Sequence, residues 1–405
     1  MVEERIVESR KNKKRNKILR TIRYGEEISR HEVKKITSYS MTTVLNTINE
    51  LIEKKLLVEE ECTDLRAGRK PTWLHINPTG QYFIGVEFNA DGIDCVVVNF
   101  AYEIVYSRQS HFFFGIDADS IIEIIKLTIH EAINSLEDEK SKILGIGIGV
   151  PGYIDRASGV GIYYPHIKNW NNINIKKVLE KEFKLNVFIE NNINAITIAY
   201  RWKEYGETAH DFVLATIKYG TRIGSIIDNK LFVGNGGNAG EIGHMKLMNA
   251  NRICSCGRRG CVDTEVSLMA IKSKVIERIM YGYFADIKEQ MQGDFDKFNI
   301  EMVIKAAEEG SKEAVELLNE TAMYLGQALA PVMATLNPKQ IVIASTSGLG
   351  GEKFAKEVYR VISENVTKEL LEDFEVCSVK MHRNMGAFGA AMLVAEAEYG
   401  SVETN

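Results

Sequence analysis

The residues with the plainest chemistry lie in one short stretch. His244, Cys254, Cys256 and Cys261 follow the pattern His-x9-Cys-x-Cys-x4-Cys. Three thiolates and one imidazole complete a tetrahedral shell around zinc, and Gly257 and Gly260 let the chain turn tightly between the thiolates. A closed shell leaves no position for water, so the spacing predicts a structural zinc. An iron–sulfur cluster would usually need four thiolates, and the remaining alternative is a set of buried free thiols. The six cysteines are Cys62, Cys95, Cys254, Cys256, Cys261 and Cys377. A cluster of three within eight residues points to metal rather than disulfides in a reducing compartment.

A second chemical signal is charge. The chain carries a net charge of −5, but residues 1–80 hold 17 lysines and arginines against 12 acidic residues, so that head is +5 and the remainder −10. Within residues 5–24 nine residues are basic and one is acidic. A basic head on an acidic body suits a polyanionic partner, whereas a solvated N-terminus would explain the charge alone.

The elements that would position these charges read as helices over residues 10–58. Ile18, Leu19 and Ile22 make an apolar stripe, with Gly25 closing that helix. Ser29 caps a second helix carrying Val33 and Ile36, and Glu32 completes a capping box. After the turn at Thr37, Ser38 and Tyr39, Ser40 caps a third helix with the stripe Val44, Leu45, Ile48, Leu51 and Ile52. Its outer face presents Met41, Thr42, Thr43, Asn46 and Thr47, side chains short enough to meet base edges and phosphates. Two short helices at this separation form a helix-turn-helix. The following segments, 56–58 and 73–76, flank a basic glycine-containing loop that reads as a wing. Arg69 and Lys70 at its tip would enter the minor groove or grip phosphates, while Arg10, Lys13, Lys14, Arg15 and Lys17 would hold phosphates from the first helix.

From Gln81 onward strands alternate with helical stretches, an α/β layout too long for a single core, so two lobes are expected. There is no apolar run long enough for a membrane span and no signal-peptide core, which favours the cytoplasm.

At this point the sequence resembles the ROK family of repressors, open reading frames and kinases. The run Ala239-Gly240-Glu241-Ile242-Gly243-His244 and the following Cys254-x-Cys256-Gly-Arg-Arg-Gly-Cys261 look like its sugar-and-zinc signature. The resemblance extends over residues 81–400, through Val150-Pro151-Gly152, Glu190-Asn191, Leu336-Asn337-Pro338 and the run 386–391. The N-terminal helices and the Gly-Arg-Lys-Pro loop resemble the family's regulators, especially their xylose-repressor branch.

The resemblance implies an N-terminal winged helix-turn-helix (about 1–78) followed by a two-lobed, actin-like ATPase fold. The first lobe would span 79–205 with a returning C-terminal helix near 386–400, and the second 206–385 with the zinc site. It implies sugar contacts from Asn191, Asn192, Glu241, His244 and Asp263, the last one methylene shorter than the family's glutamate. His166, Asn169 and Trp170 are further candidates to line that cleft.

The kinases' phosphate turn Asp-x-Gly-Gly-Thr appears here as residues 87–91 without the glycine pair or threonine. Their phosphate hairpin Gly-Thr-Gly-x-Gly appears as Gly220-Thr221-Arg222-Ile223-Gly224. Their catalytic aspartate is replaced by Asn192, and an amide is no general base. The glycine run near the adenosine pocket is Ala344-Ser345-Thr346. Four departures remove the groups that phosphoryl transfer needs. The expectation is a sugar-responsive, non-enzymatic repressor, a homodimer or homotetramer on operator DNA. A monosaccharide or short oligosaccharide, xylose first, would bind between the lobes and release it, with the zinc site coupling the two events. A sugar kinase with an appended DNA-binding domain, and a repressor controlled by a protein partner, are the alternatives.

Overall fold

Glycine and alanine decide how the larger sheet of the first unit is covered. The computed structural model describes residues 2–25, 27–61, 72–89, 92–112, 115–205, 210–346, 348–349 and 351–400, with backbone alone over 2–10. The chain divides into two units, one comprising residues 1–207 and 384–405, the other 208–383.

The first unit opens with α1 (Val2–Arg23), α2 (Arg30–Thr37) and α3 (Met41–Glu53), then the antiparallel pair β1 (Leu57–Glu61) and β2 (Thr72–Ile76). Ile18, Leu19, Ile22, Val33, Val44, Ile48, Leu51 and Leu74 are buried in this head. Ser29 and Glu32 form the capping box at the start of α2. Ile36, expected inside, is 56% exposed, and Thr37 is buried instead, donating to the Val33 carbonyl at 2.6 Å. Positions four apart share a helix face, so Val33 selects Thr37 and turns Ile36 outward. The expected wing-tip residues Arg69 and Lys70 lie outside the described residues.

The chain continues through β3 (Tyr82–Phe88), β4 (Gly92–Asn99), β5 (Ile104–His111), α4 (Ala118–Asn134) and β6 (Ile143–Val150). A small antiparallel sheet of β7 (Tyr153–Asp155), β8 (Val160–Tyr163) and β9 (Asn171–Ile173) follows, then α5 (Ile175–Phe183), β10 (Asn186–Asn191) and α6 (Asn192–Glu204). The five-stranded sheet has the order β10-β6-β3-β4-β5, parallel across its first three strands and antiparallel across the rest. Trp170 is 1% exposed and packs on Phe88 at 5.0 Å between ring centroids, so it belongs to this core rather than to a binding cleft.

In the second unit β11 (Phe212–Ile217), β12 (Thr221–Ile227) and β13 (Lys230–Phe232) form a meander, followed by α7 (Asp263–Val266), α8 (Leu268–Met280) and α9 (Ala285–Gln290). Then come α10 (Ile300–Glu308), α11 (Lys312–Leu336), β14 (Gln340–Ser345), α12 (Gly351–Asn365) and β15 (Glu375–Lys380), giving the sheet order β13-β12-β11-β14-β15. Two helices rather than one span 300–336, because Gly310 adopts φ 93° and Ser311 caps the second.

The chain then returns to the first unit as α13 (Met385–Tyr399), which lies on β3, β6 and α6. A Cβ at Gly85 would stand 1.9 Å from the Ala387 carbonyl oxygen, one at Gly147 1.7 Å from that of Ala390, and one at Gly389 1.8 Å from that of Ala195. Glycines on both sides of the seam therefore allow backbone-to-backbone packing that no larger residue permits. The far end of α13 meets the head. The Arg15 guanidinium donates to the Glu398 carbonyl at 2.9 Å and lies 5.2 Å over the Tyr399 ring. Arg23 donates to the Phe100 carbonyl and stacks 3.7 Å from the Tyr102 ring centroid. Arg15 thus faces the lobe, whereas Lys13 and Lys14 remain exposed. Burial pushes the Tyr399 hydroxyl above its ordinary range.

Replacing Gly147 with Ala is expected to cost about 1–3 kcal/mol through overpacking. A thermal melt of the variant against the parent protein checks this; an unchanged midpoint would show that α13 can move aside.

Candidate functional site

The helix-turn-helix begins from local capping. Ser38 at the end of α2 sits in the left-handed region at φ 61°, reversing the chain in a single residue. The Ser40 hydroxyl accepts from the Thr43 amide at 3.2 Å, which starts α3. Val44, Ile48 and Leu51 face inward, leaving Thr42 and Asn46 exposed and Met41, Thr43 and Thr47 half-buried on the outer side. Lys11 and Lys54 pair with Glu50, the first tying α1 to α3, and Arg30 pairs with Glu59, tying α2 to β1. The outer face is polar and nearly uncharged, a surface suited to reading hydrogen-bonding edges.

In the second unit the four proposed metal ligands converge. Cys254 Sγ lies 3.7 Å from His244 Nδ1, Cys256 Sγ lies 3.7 Å from Cys261 Sγ, and all four ligand atoms fall within 4.8 Å of one another. Ligands held at zinc-like distances in a tetrahedron stand about 3.3–3.8 Å apart, so the cluster has the size of such a shell. Backbone pairing builds it. Leu247 donates to the Gly260 carbonyl at 2.8 Å, and Cys254 donates to the Arg258 carbonyl at 2.8 Å. Gly257 and Gly260 take φ 83° and 76°, the conformation that glycine adopts without strain. Arg258 beside Cys256 lowers that thiol to about 6, whereas burial pushes Cys261 up to about 12. A divalent cation at the centre would favour the thiolate at all three.

Next to this cluster the first three residues of β12 act as a template. The Thr221 amide donates to Asp263 Oδ1 at 2.6 Å. Arg222 forms an ion pair with Glu241. The Ile223 amide donates to the Gly240 carbonyl at 2.9 Å. Gly240 has φ 93°, and a Cβ there would stand 1.9 Å from the Ile223 carbonyl oxygen. Gly243 leaves room for the Asp263 carboxylate, which a Cβ would approach to 2.3 Å, and Asp263 Oδ2 lies 3.9 Å from His244 Nδ1. Burial raises the Asp263 carboxyl above its usual range despite the Thr221 amide. The second unit therefore gathers Glu241, His244 and Asp263 in one polar corner, joined by Arg222. Sequence reasoning saw Arg222 only as a departure from a glycine hairpin. A lone cation opposite a lone carboxylate was the available signal for the pair.

Asn191 and Asn192 stand in the first unit. Asn191 caps α6: its Oδ1 accepts from the Ile193 amide at 3.1 Å and its Nδ2 donates to the Gly152 carbonyl at 2.7 Å. Asn192 donates to the Phe88 carbonyl at 2.9 Å, and its Oδ1 is buried without a hydrogen-bond partner. Beside them Glu190 is fully buried, accepting from the Asn191 amide and Asn194 Nδ2 and paired with Arg156 at 2.9 Å. Burial holds its carboxyl above the usual range, partly offset by Arg156. Arg156 is a partner that sequence reasoning missed.

Residues 83–397 match the model of the ROK family. The chain belongs to that family. It is 30% identical over 348 residues to the xylose repressor of Caldicellulosiruptor bescii, with 86% of each chain covered. Its fold resembles that of a solved ROK family transcriptional regulator described as a homolog of the E. coli MLC protein. That likeness has a TM-score of 0.82 at 23% identity and covers 97% of each chain. It also resembles a ROK family glucokinase from Streptomyces griseus solved with glucose and AMPPNP. There the TM-score is 0.67 at 24% identity, over 78% of this chain and 99% of that one. The fold is thus an N-terminal helical head followed by the actin-like fold of the ROK kinases. Among the described residues no helix is long and apolar enough to cross a membrane.

Substituting Gly240 by Ala is expected to separate β12 from residues 240–244 and destabilise the protein by about 1–3 kcal/mol. Urea unfolding followed by circular dichroism reads the loss; a parent-like midpoint would show that the backbone contact is dispensable.

Proposed function

We propose that this protein is a sugar-responsive transcriptional repressor that binds operator DNA through its helix-turn-helix and does not transfer phosphate. The observation that carries the reading is the presence, in one chain, of an exposed polar α3 face and a ROK unit, with likeness to a xylose repressor along 86% of the chain. Ser40, Met41, Thr42, Thr43, Asn46 and Thr47 meet the major groove, Lys13 and Lys14 the phosphates, and Arg69 and Lys70, outside the described residues, the minor groove or backbone. A single helix-turn-helix reads few base pairs, so a homodimer or homotetramer on a pseudo-palindrome supplies the specificity.

Two residues support the loss of kinase activity. Asn192 cannot take a proton from a sugar hydroxyl. Arg222 puts a paired side chain in the hairpin where a nucleotide phosphate would need backbone amides. The polar corner keeps its carboxylates, Glu241 and Asp263, which suit hydroxyl recognition. The effector is a monosaccharide or short oligosaccharide, xylose first, and its binding releases DNA. Such a ligand shifts the equilibrium only as far as its affinities for the two states differ. His244, Cys254, Cys256 and Cys261 would hold zinc as a structural cross-link. His244 then joins the metal cluster to Asp263, which couples the sugar corner to the zinc loop. The working location is the cytoplasm.

Fluorescence anisotropy on DNA from upstream of its own and neighbouring genes, at fixed salt and with a panel of monosaccharides, tests the reading. Tight binding released by one sugar is the expected result; tight binding indifferent to all of them favours control by a protein partner. Asn46→Ala is expected to weaken operator binding about 10-fold or more, the value of one good base contact. An assay for ADP release with ATP and the same sugars should stay at background; turnover would restore the kinase reading. Cys256→Ser is expected to abolish bound zinc, measured by elemental analysis, and operator binding with it. Retained repression in a zinc-free variant would remove the coupling role.

A further inference from the structure

Arg222 has no role in phosphate transfer, yet it is not an idle surface side chain. It forms an ion pair with Glu241, and the two side chains are only 19% and 25% exposed. Backbone contacts impose this geometry from both sides. Arg222 lies between Thr221, whose amide holds Asp263, and Ile223, whose amide holds the Gly240 carbonyl next to Glu241. The close approach requires Gly240. The pair is therefore preformed rather than assembled by chance rotamers, and it sits in the same corner as Asp263 and His244.

We infer that Arg222 is a specificity-determining residue of the effector site, and that the sugar is read by an arginine–glutamate pair rather than by a free carboxylate. This rests on the effector-site reading above. The argument turns on which state costs less. A sugar that displaced Arg222 would leave a largely buried guanidinium without its carboxylate, and a neutral hydroxyl is a poor replacement for a charged partner. A sugar that keeps the pair meets a Glu241 carboxylate already oriented by the guanidinium. Preorganisation of this kind lowers the ordering cost of binding. It also narrows recognition. A free carboxylate can accept from two vicinal hydroxyls at once, whereas one that already accepts from a guanidinium has fewer lone pairs left for hydroxyl donors. The class of ligand is a neutral sugar, because the pair carries no net charge.

The test uses the full-length zinc-loaded protein and isothermal titration with D-xylose, D-glucose and N-acetylglucosamine. Parent protein, Arg222→Ala, Arg222→Lys, Glu241→Gln and the double variant R222A/E241Q are compared, with melting temperature and zinc content as checks of folding. The sugar that binds the parent protein is expected to lose at least 10-fold in affinity with R222A and to recover part of it with R222K. The double variant should be no weaker than the weaker single one, since both remove the same unit. Among mono-deoxy analogues of that sugar, one should bind the parent protein poorly yet bind R222A no worse than the intact sugar does. Equal or tighter binding to folded R222A would overturn the proposal, as would strictly additive losses. If none of the three sugars binds the parent protein, the effector reading fails and this inference falls with it. That outcome is distinct from a parent protein that binds and an R222A variant that is indifferent.

Discussion

The hydrogen bond from the Ile223 amide to the Gly240 carbonyl draws the start of β12 against residues 240–244, and the second unit's chemistry is arranged around it. Glu241 and His244 follow Gly240 directly, so their positions are set by that approach. Thr221, one strand position from Arg222, fixes Asp263 through its amide. A carboxylate that titrates above its usual range, an ion pair and one end of a thiol cluster therefore share a single backbone frame. The frame tolerates no Cβ at Gly240, which explains why glycine stands there rather than a residue with side-chain contacts of its own.

The first unit depends on a different closeness. Glycines at 85, 147 and 389 let α13 rest on the sheet and on α6 at backbone distance. That packing carries the chain's last helix to the DNA-binding head, where Arg15 and Arg23 bind carbonyls and aromatic faces of the lobe. Two arginines from a strongly basic helix thus hold the head, while their neighbours Lys13 and Lys14 stay exposed. Guanidinium suits this use, because its flat face stacks on rings while its edge donates to carbonyls.

The departures from the kinases' motifs and the proposed effector corner meet at the same few positions. Arg222 occupies a hairpin position where a nucleotide would demand backbone, and it pairs with the carboxylate that the resemblance assigns to sugar hydroxyls. Asn192, in place of an acidic residue, donates its amide to the Phe88 carbonyl at the end of β3 and so braces strand against helix. At each of these kinase-motif positions the side chain present here makes a structural contact.

Much of this was legible in the chain itself. The His-x9-Cys-x-Cys-x4-Cys spacing marked four side chains that the fold gathers within ligand distance, because turns of that length close on themselves. The Ser29–Glu32 capping box and the Ser40 cap set the helix-turn-helix by local hydrogen bonds. Periodicity was less reliable where a helix is short: Ile36 points outward and Thr37 inward, a choice made by packing against neighbouring helices. Arg15 and Glu398, 383 positions apart, could be paired only by the fold, and so could Glu190 with Arg156. Asn191 spends its side-chain amide on the α6 cap and on the distant Gly152 carbonyl, which a motif cannot reveal. The sequence by itself determined the His/Cys cluster, the helix caps and the family, all properties of spacing along one strand of chain. Only the tertiary structure decided which charges compensate each other and which face of each helix is covered, because those depend on strand register and on backbone approaches between distant segments.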